Sequence, residues 1–145
     1  MRLHGLAVLE CGQSLVEVAL LLPFMVYLLV GGADLARAYA VQLAVQNGAR
    51  AGAEATVLDF TPTVGEAQSY AIQEMSRTPG MNSASAVITM TKLQANGSQC
   101  PATPDPTTPC FVTVRVRYQF RTIIPWPLIP NTFNFDRSTV MRTYL

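Results

Sequence analysis

The chain has 145 residues, half of them apolar, and its ten Lys and Arg nearly balance nine Asp and Glu. With 13% charged residues and a net charge of +1 at pH 7, it carries no overall field that would attract a nucleic acid. Its length allows one modest folded domain, and the positive mean hydropathy indicates an added membrane segment.

The apolar excess lies near the start of the chain. The run from Leu15 to Ala33 contains a single charge, Glu17, and as a helix it would span roughly 28 Å, close to the hydrocarbon thickness of a bilayer. We therefore predict a leader peptide at residues 1–12 and a transmembrane helix at residues 13–33. A secretory signal peptide is the alternative for the same residues.

Helical periodicity continues beyond the span, from Asp34 to Thr56. Polar residues recur there at every fourth position, which places them in one stripe on an apolar helix. These residues are Gln42, Gln46, Arg50 and Glu54. Within the span, Pro23 removes one hydrogen bond, so we expect a bend near Ala19 to Pro23 rather than a break.

Gly48 and Gly52 form a pair of small residues one helical turn apart, surrounded by alanines. Such a pair lets another element approach the helix backbone closely. The partner is either the helix of a neighbouring subunit or the sheet of this same chain. The pattern does not distinguish these two roles, so both remain helix-packing hypotheses.

The rest of the chain predicts a short helix followed by strands. Helical spacing covers Val64 to Ser76, and a period of two then replaces it. The predicted strands are Val87 to Leu93, Phe111 to Phe120 and Phe133 to Tyr144. The three prolines between Pro125 and Pro130 exclude a central strand there. We expect an α+β domain at residues 34–145, with a three- to four-stranded antiparallel sheet.

The cysteine count is odd, but removal of residues 1–12 would remove Cys11 and leave Cys100 and Cys110. These two bracket a loop rich in Pro and Thr, and a disulfide closing it would contribute roughly 2 to 3 kcal/mol. Such a bond requires an oxidising compartment. Two unpaired thiols are the alternative, and the spacing does not fit a zinc site.

Catalytic chemistry has little support in this sequence. The single histidine, His4, lies in the predicted leader, so triads and His-metal sites lack their imidazole. The acidic residues of the predicted domain are scattered over helices and loops: Asp59, Glu66, Glu74, Asp105 and Asp136. We therefore expect no enzyme, no cofactor and no metal site.

Glu17 is a carboxylate in an apolar helix, five positions after Gly12. A charge at mid-bilayer costs about 2.5 to 3.5 kcal/mol, and less near the boundary, so Glu17 needs a positive partner. Cleavage after Gly12 would supply one, because Gln13 would then carry a free ammonium. Alternatively, Glu17 only favours the helix dipole and reaches back to the headgroups.

The segment from Gly12 to Ala53 resembles the TadE-like family of tight-adherence pilus assembly proteins. It shares the glycine, the membrane glutamate, a proline in the span, an Asp followed by Arg-Ala-Tyr, and an Ala-Arg-Ala-Gly ending. More loosely, the valine-rich strand, proline turn and final Ser/Thr strand resemble the tail of family members. Val18 and Gln13 depart from the usual aromatic and small residues.

The resemblance implies a minor pseudopilin that a prepilin peptidase cleaves between Gly12 and Gln13, with Glu17 as the recognition glutamate. It implies an inner-membrane location, with a cytoplasmic N-terminus and a periplasmic C-terminal domain. The implied partners are the peptidase, other pilins, the inner-membrane assembly platform and the lipid bilayer, but no nucleic acid.

The competing hypothesis is a permanently anchored envelope domain that is never cleaved and binds a protein partner or ligand. Its contact surface would be the group Arg115, Arg117 and Arg121, with Trp126 on the proline turn. An alternating strand places polar residues on its solvent face in any case, so this group is also what an ordinary wet sheet face looks like.

Overall fold

The computed structural model describes residues 7–57, 62–101, 107–127 and 129–143, with side chains from Gly12 onward. The first six residues of the predicted leader, the side chain of Cys11, and the acids Asp59 and Asp105 lie outside this part. The chain forms two compact units, Met1–Arg37 and Ala38–Leu145, which are described separately.

Helix α1 runs from Ala7 to Val57 and passes through Pro23 without a break. Its N-terminal part makes up the described portion of the first unit. Every side chain from Gly12 to Leu29 is exposed there, and the residues are mostly Leu, Val and aromatic. The long N-terminal helix predicted from hydropathy is therefore confirmed.

The second unit contains the C-terminal part of α1 and helix α2, which spans Val64–Met75. A capping box starts α2: Thr63 Oγ1 accepts from Glu66 N at 3.2 Å, and the Glu66 carboxylate accepts from Thr63 N at 2.8 Å. This reciprocal pair satisfies two donors that have no partner within the helix. A short 3-10 turn, Ser83–Ser85, leads to the first strand.

Three strands form one antiparallel sheet in the order β1-β2-β3. They are β1 at Val87–Gln94, β2 at Cys110–Arg121 and β3 at Thr132–Arg142. The central strand β2 pairs Val116 with Ile88 on one side and with Arg137 on the other. All three predicted strands are present, although the expected end of the third, Tyr144, lies outside the described residues.

The core lies between the helices and one face of this sheet. Alternate residues of β2 point inward, and Val112, Val114 and Val116 are fully buried. They belong to one cluster with the small and flexible residues of the helices: Val45, Ala49, Ala53, Ala67, Ala71 and Met75. Burying a valine contributes about 1.5 to 3 kcal/mol. The result is the predicted α+β arrangement.

Candidate processing site and membrane-spanning segment

The N-terminal part of α1 is long and apolar enough to cross a membrane, and the apolar window that meets this test has none of its residues buried. Leu20 and Leu29 expose 74% and 73% of their surface, and Phe24 exposes 60%. A row of large apolar side chains this exposed needs an apolar solvent. This is consistent with a single-pass membrane protein.

Gly12 lies inside α1, five residues after the helix begins. A Cβ atom added to it would meet nothing within 4 Å, so no neighbour requires a glycine at this position. Glycine in a helix interior is about 0.5 to 1 kcal/mol less favourable than alanine. Packing among the described residues therefore gives no reason for Gly12.

Glu17 lies one turn after Gln13 on the same side of α1. The Gln13 side-chain amide donates to Glu17 Oε1 at 3.4 Å, and both residues are exposed. This weak contact shows that the two residues face each other along the helix, as an i, i+4 pair does. A charge at the backbone nitrogen of Gln13 would lie at the start of the same helical turn.

Gly48 and Gly52 lie in the second unit and are both buried. A Cβ on Gly48 would come within 2.7 Å of Met75 Cγ, and one on Gly52 within 2.9 Å of the Ala67 carbonyl oxygen. A Cβ on Gly52 would also lie 3.2 Å from Val114 Cγ1. Gly48 therefore packs against α2 and Gly52 against α2 and β2, whereas the role predicted within the chain named only the sheet, and packing against a neighbouring subunit stays a prediction.

A disulfide joins Cys100 and Cys110, whose Cα atoms lie 5.9 Å apart. Cys110 is buried and opens β2, and its carbonyl accepts from the Thr143 backbone N at 2.9 Å and from Thr143 Oγ1 at 3.2 Å. The bond therefore closes the Pro and Thr loop where the end of β3 is also attached. This is the pair that the cysteine count singles out.

Two features of the helices were missed in the sequence. Asp34 is only 3% exposed and accepts from Arg37 at 2.9 Å, an i, i+3 pair. The spacing Asp-x-x-Arg was visible, but the same spacing is common on solvated helices. The capping box of α2 was also readable, since Thr63 and Glu66 have its Thr-x-x-Glu spacing.

The outward face of the sheet carries an ion pair between Arg115 and Asp136. Arg115 Nε donates to Asp136 Oδ1 at 2.7 Å, and a second guanidinium nitrogen donates to Oδ2. These hydrogen bonds to Arg115 hold the pKa of Asp136 below its ordinary value, and charge attraction from Arg115, Arg117 and Arg137 acts in the same direction. In the sequence, Asp136 was only one of several scattered acidic residues.

In the described part of the chain, no group of three or more His, Cys, Asp or Glu side chains could hold a metal ion. The carboxylates of Glu66 and Glu74 act locally: Glu66 caps α2, and Glu74 pairs with Arg77 at 3.0 Å. Both have structural roles at the ends of α2.

Residues 12–54 match the sequence model of the family described as TadE-like protein. The match starts at Gly12 and falls entirely within α1, so it confirms the resemblance over the helix and does not include the sheet. The family suggests involvement in tight-adherence pilus systems, and it is not known for enzymatic activity. No curated protein and no solved structure matches the chain.

Proposed function

Because residues 12–54 are TadE-like, we propose that this chain is a minor pseudopilin of a tight-adherence pilus, cleaved by a prepilin peptidase between Gly12 and Gln13. The helix inserts in the bacterial inner membrane, and the α+β domain lies in the periplasm. The cleaved protein then joins other pilins at the inner-membrane assembly platform.

Gly12 is the observation that carries the proposal. The residue lies inside helix α1, where alanine would be more favourable. A peptidase that must fit the backbone of the cleaved bond into its active site gives such a glycine a purpose, because the absence of Cβ permits close approach. The family match begins at this same residue.

Glu17 supplies the second argument. Cleavage would place an ammonium on the backbone nitrogen of Gln13, one helical turn before Glu17. An ion pair there, within one subunit or between two, would offset part of the cost of a carboxylate in an apolar segment. The free energy of that pair would favour the assembled state only after cleavage.

The Cys100–Cys110 disulfide supports a periplasmic location for the second unit, since such bonds persist in oxidising compartments. With the α+β domain in the periplasm, a single span places the N-terminus in the cytoplasm. The peptidase would then cleave at the cytoplasmic face of the membrane.

The processing step is tested with the pair Gly12→Ala and Gly32→Ala. Both glycines lie inside α1 with nothing within 4 Å of an added Cβ, so the two substitutions change the helix alike. In membranes of a strain that contains a prepilin peptidase, we expect the G32A protein to begin at Gln13 and the G12A protein to stay full length. N-terminal sequencing of the purified proteins measures this.

Two results would contradict the proposal. Cleavage of the G12A protein between residues 12 and 13 would remove the role of Gly12. A wild-type protein that stays full length would favour the alternative of an uncleaved, membrane-anchored envelope domain that binds a protein partner or ligand.

The charge pairing is tested separately, with Glu17→Gln and Gln13→Ala. Q13A loses the side-chain contact to Glu17 but keeps the new ammonium after cleavage, whereas E17Q loses the carboxylate that would pair with it. We expect E17Q to reduce the number of pili per cell and Q13A to leave it unchanged, and N-terminal sequencing of the E17Q protein separates loss of peptidase recognition from loss of charge pairing. Normal pili in the E17Q strain would exclude the ion pair.

A further inference from the structure

Basic charge is concentrated in the sheet. The strands contain six basic side chains and one acidic one, Asp136, a balance of +5 in a chain whose net charge is +1. The six are Lys92, Arg115, Arg117, Arg121, Arg137 and Arg142. In contrast, each arginine of the described helical segments has an acidic neighbour within 3.0 Å, at Asp34, Glu54 or Glu74.

Four of these arginines lie on the outward face of the sheet. Arg115, Arg117 and Arg121 alternate with the buried valines of β2, and Arg142 of β3 pairs with Phe111 on that same face. All four are exposed. From position 111 to position 121 the row extends for about 34 Å, at about 3.4 Å per residue. We call these four residues the arginine row.

An ordinary wet sheet face mixes charges of both signs. Here the acidic residue of the strands, Asp136, is already held by Arg115 through two hydrogen bonds. Within the described part of the chain, Arg117, Arg121 and Arg142 form no salt bridge closer than 4.0 Å. The face therefore carries an excess of positive charge along the row, within which Asp136 pairs in register with Arg117 and is hydrogen-bonded to Arg115.

Exposed valines flank the row on both edge strands. Val87 of β1 is 55% exposed and pairs with Arg117, and Val140 of β3 is 58% exposed and pairs with Thr113. Arginine beside apolar side chains is a combination enriched in protein interfaces. The valines give a bound chain apolar contacts on either side of the charged line.

We propose that the arginine row binds an extended acidic segment of a partner protein. Same-face side chains along an extended chain repeat at about 6.8 Å, so acidic side chains on one face of the partner match the spacing of Arg117 and Arg121, which lie two such repeats apart. Guanidinium and carboxylate groups then pair in the bidentate geometry that Arg115 and Asp136 already show. A line of charge along one strand fits a linear partner better than a bilayer surface. The proposal holds whether or not residues 1–12 are removed.

The test uses the full chain in neutral phospholipid nanodiscs and a fluorescent peptide in which Glu and Ser alternate. Fluorescence anisotropy measures peptide binding to the wild-type protein and to the double variant Arg117→Gln/Arg121→Gln. The matched control, Arg50→Gln/Arg77→Gln, loses the same charge from outside the sheet. We expect the R117Q/R121Q protein to bind about tenfold more weakly or worse, and the control to bind like wild type. Raising the salt concentration should weaken wild-type binding.

Equal weakening in both double variants would overturn the proposal, because it would show a response to overall charge. So would failure of wild type to bind the peptide. A third result would assign the row to lipid headgroups instead. In that case the peptide does not bind, the wild-type protein co-sediments with phosphatidylglycerol vesicles, and R117Q/R121Q does not. The unfolding temperature of each variant, followed by Trp126 fluorescence, checks that the sheet is intact.

Discussion

The two halves of α1 are both helical and have opposite surroundings. Residues 12–29 expose nearly all of their apolar side chains, with Leu20 at 74% and Met25 at 60%. Residues 41–57 bury most of theirs, and Val45, Ala49 and Ala53 are 0% exposed. Secondary structure is the same in both halves, so the difference lies in what each half contacts.

One continuous helix therefore has two surroundings, an exposed one in its first half and the protein core in its second half. The first half keeps large side chains on every face, which suits a medium that contacts the helix all round. The second half uses alanine and glycine on the buried face, which lets α2 and β2 approach the backbone. The change from large to small residues marks where the exposed apolar segment ends and contacts with α2 and β2 begin.

The largest effect on the free energy of unfolding is expected from the buried methionine of the second unit, compared with an exposed methionine of the first. Met75 is fully buried beneath Gly48, and Met75→Ala should lower the free energy of unfolding of the domain by about 2 to 5 kcal/mol. Met25→Ala, at a 60% exposed position, should leave it unchanged. Thermal unfolding of the full chain in non-ionic detergent, followed by Trp126 fluorescence, measures both. Equal effects would show that the two halves do not differ as described.

The disulfide should come next. Replacing Cys100 and Cys110 together by Ser should lower the stability of the second unit by roughly 2 to 3 kcal/mol, because the loop between them gains freedom in the unfolded chain. The double variant should still insert in the membrane, since the apolar segment is unchanged. Urea unfolding of the α+β domain and alkaline extraction of membranes report the two properties. Loss of membrane insertion would contradict this separation.

A smaller effect is expected at Gly52. A Cβ there meets the Ala67 backbone oxygen at 2.9 Å, and overpacking of this kind costs about 1 to 3 kcal/mol, against about 1 kcal/mol gained in helix propensity. Gly52→Ala should therefore lower the unfolding temperature, whereas Gly32→Ala should not. Thermal unfolding followed by Trp126 fluorescence measures both variants. A G52A protein as stable as wild type would mean that α2 can shift.

The smallest effect concerns pH. The pKa of Asp136 is lowered by its hydrogen bonds to Arg115, so the pair stabilises the sheet above the unfolded pKa of about 4, and this is lost as pH falls through the folded value. Asp136→Asn should remove that part of the acid dependence without affecting insertion of α1. Unfolding temperatures measured from pH 6 down to pH 2 show it. An unchanged acid dependence in D136N would assign it to other carboxylates.

Much of the fold could be predicted because its patterns are strong. The apolar run, the helical spacing of α2 and the alternation of β2 each follow from one periodicity. The polar stripe after the span was also predicted correctly, since Gln46, Arg50 and Glu54 are exposed. These predictions needed only local sequence.

The remaining features depend on contacts between distant residues. Whether Gly48 and Gly52 receive a neighbouring subunit or α2 depends on where α2 lies, which periodicity does not determine. The burial of Asp34 is a separate case, which could not be predicted because its sequence spacing to Arg37 also occurs on exposed helices. In the candidate site, Gly12 and Glu17 could be identified from the family motif. Only the structure shows that no described residue packs against Gly12.

The most direct test of the proposed function is the intact mass of the wild-type protein purified from membranes of a strain with a prepilin peptidase, before and after reduction. We expect the purified protein to have the mass of residues 13–145 and to gain two hydrogen atoms on reduction. A full-length mass would contradict processing at Gly12 and leave the chain as an anchored envelope domain.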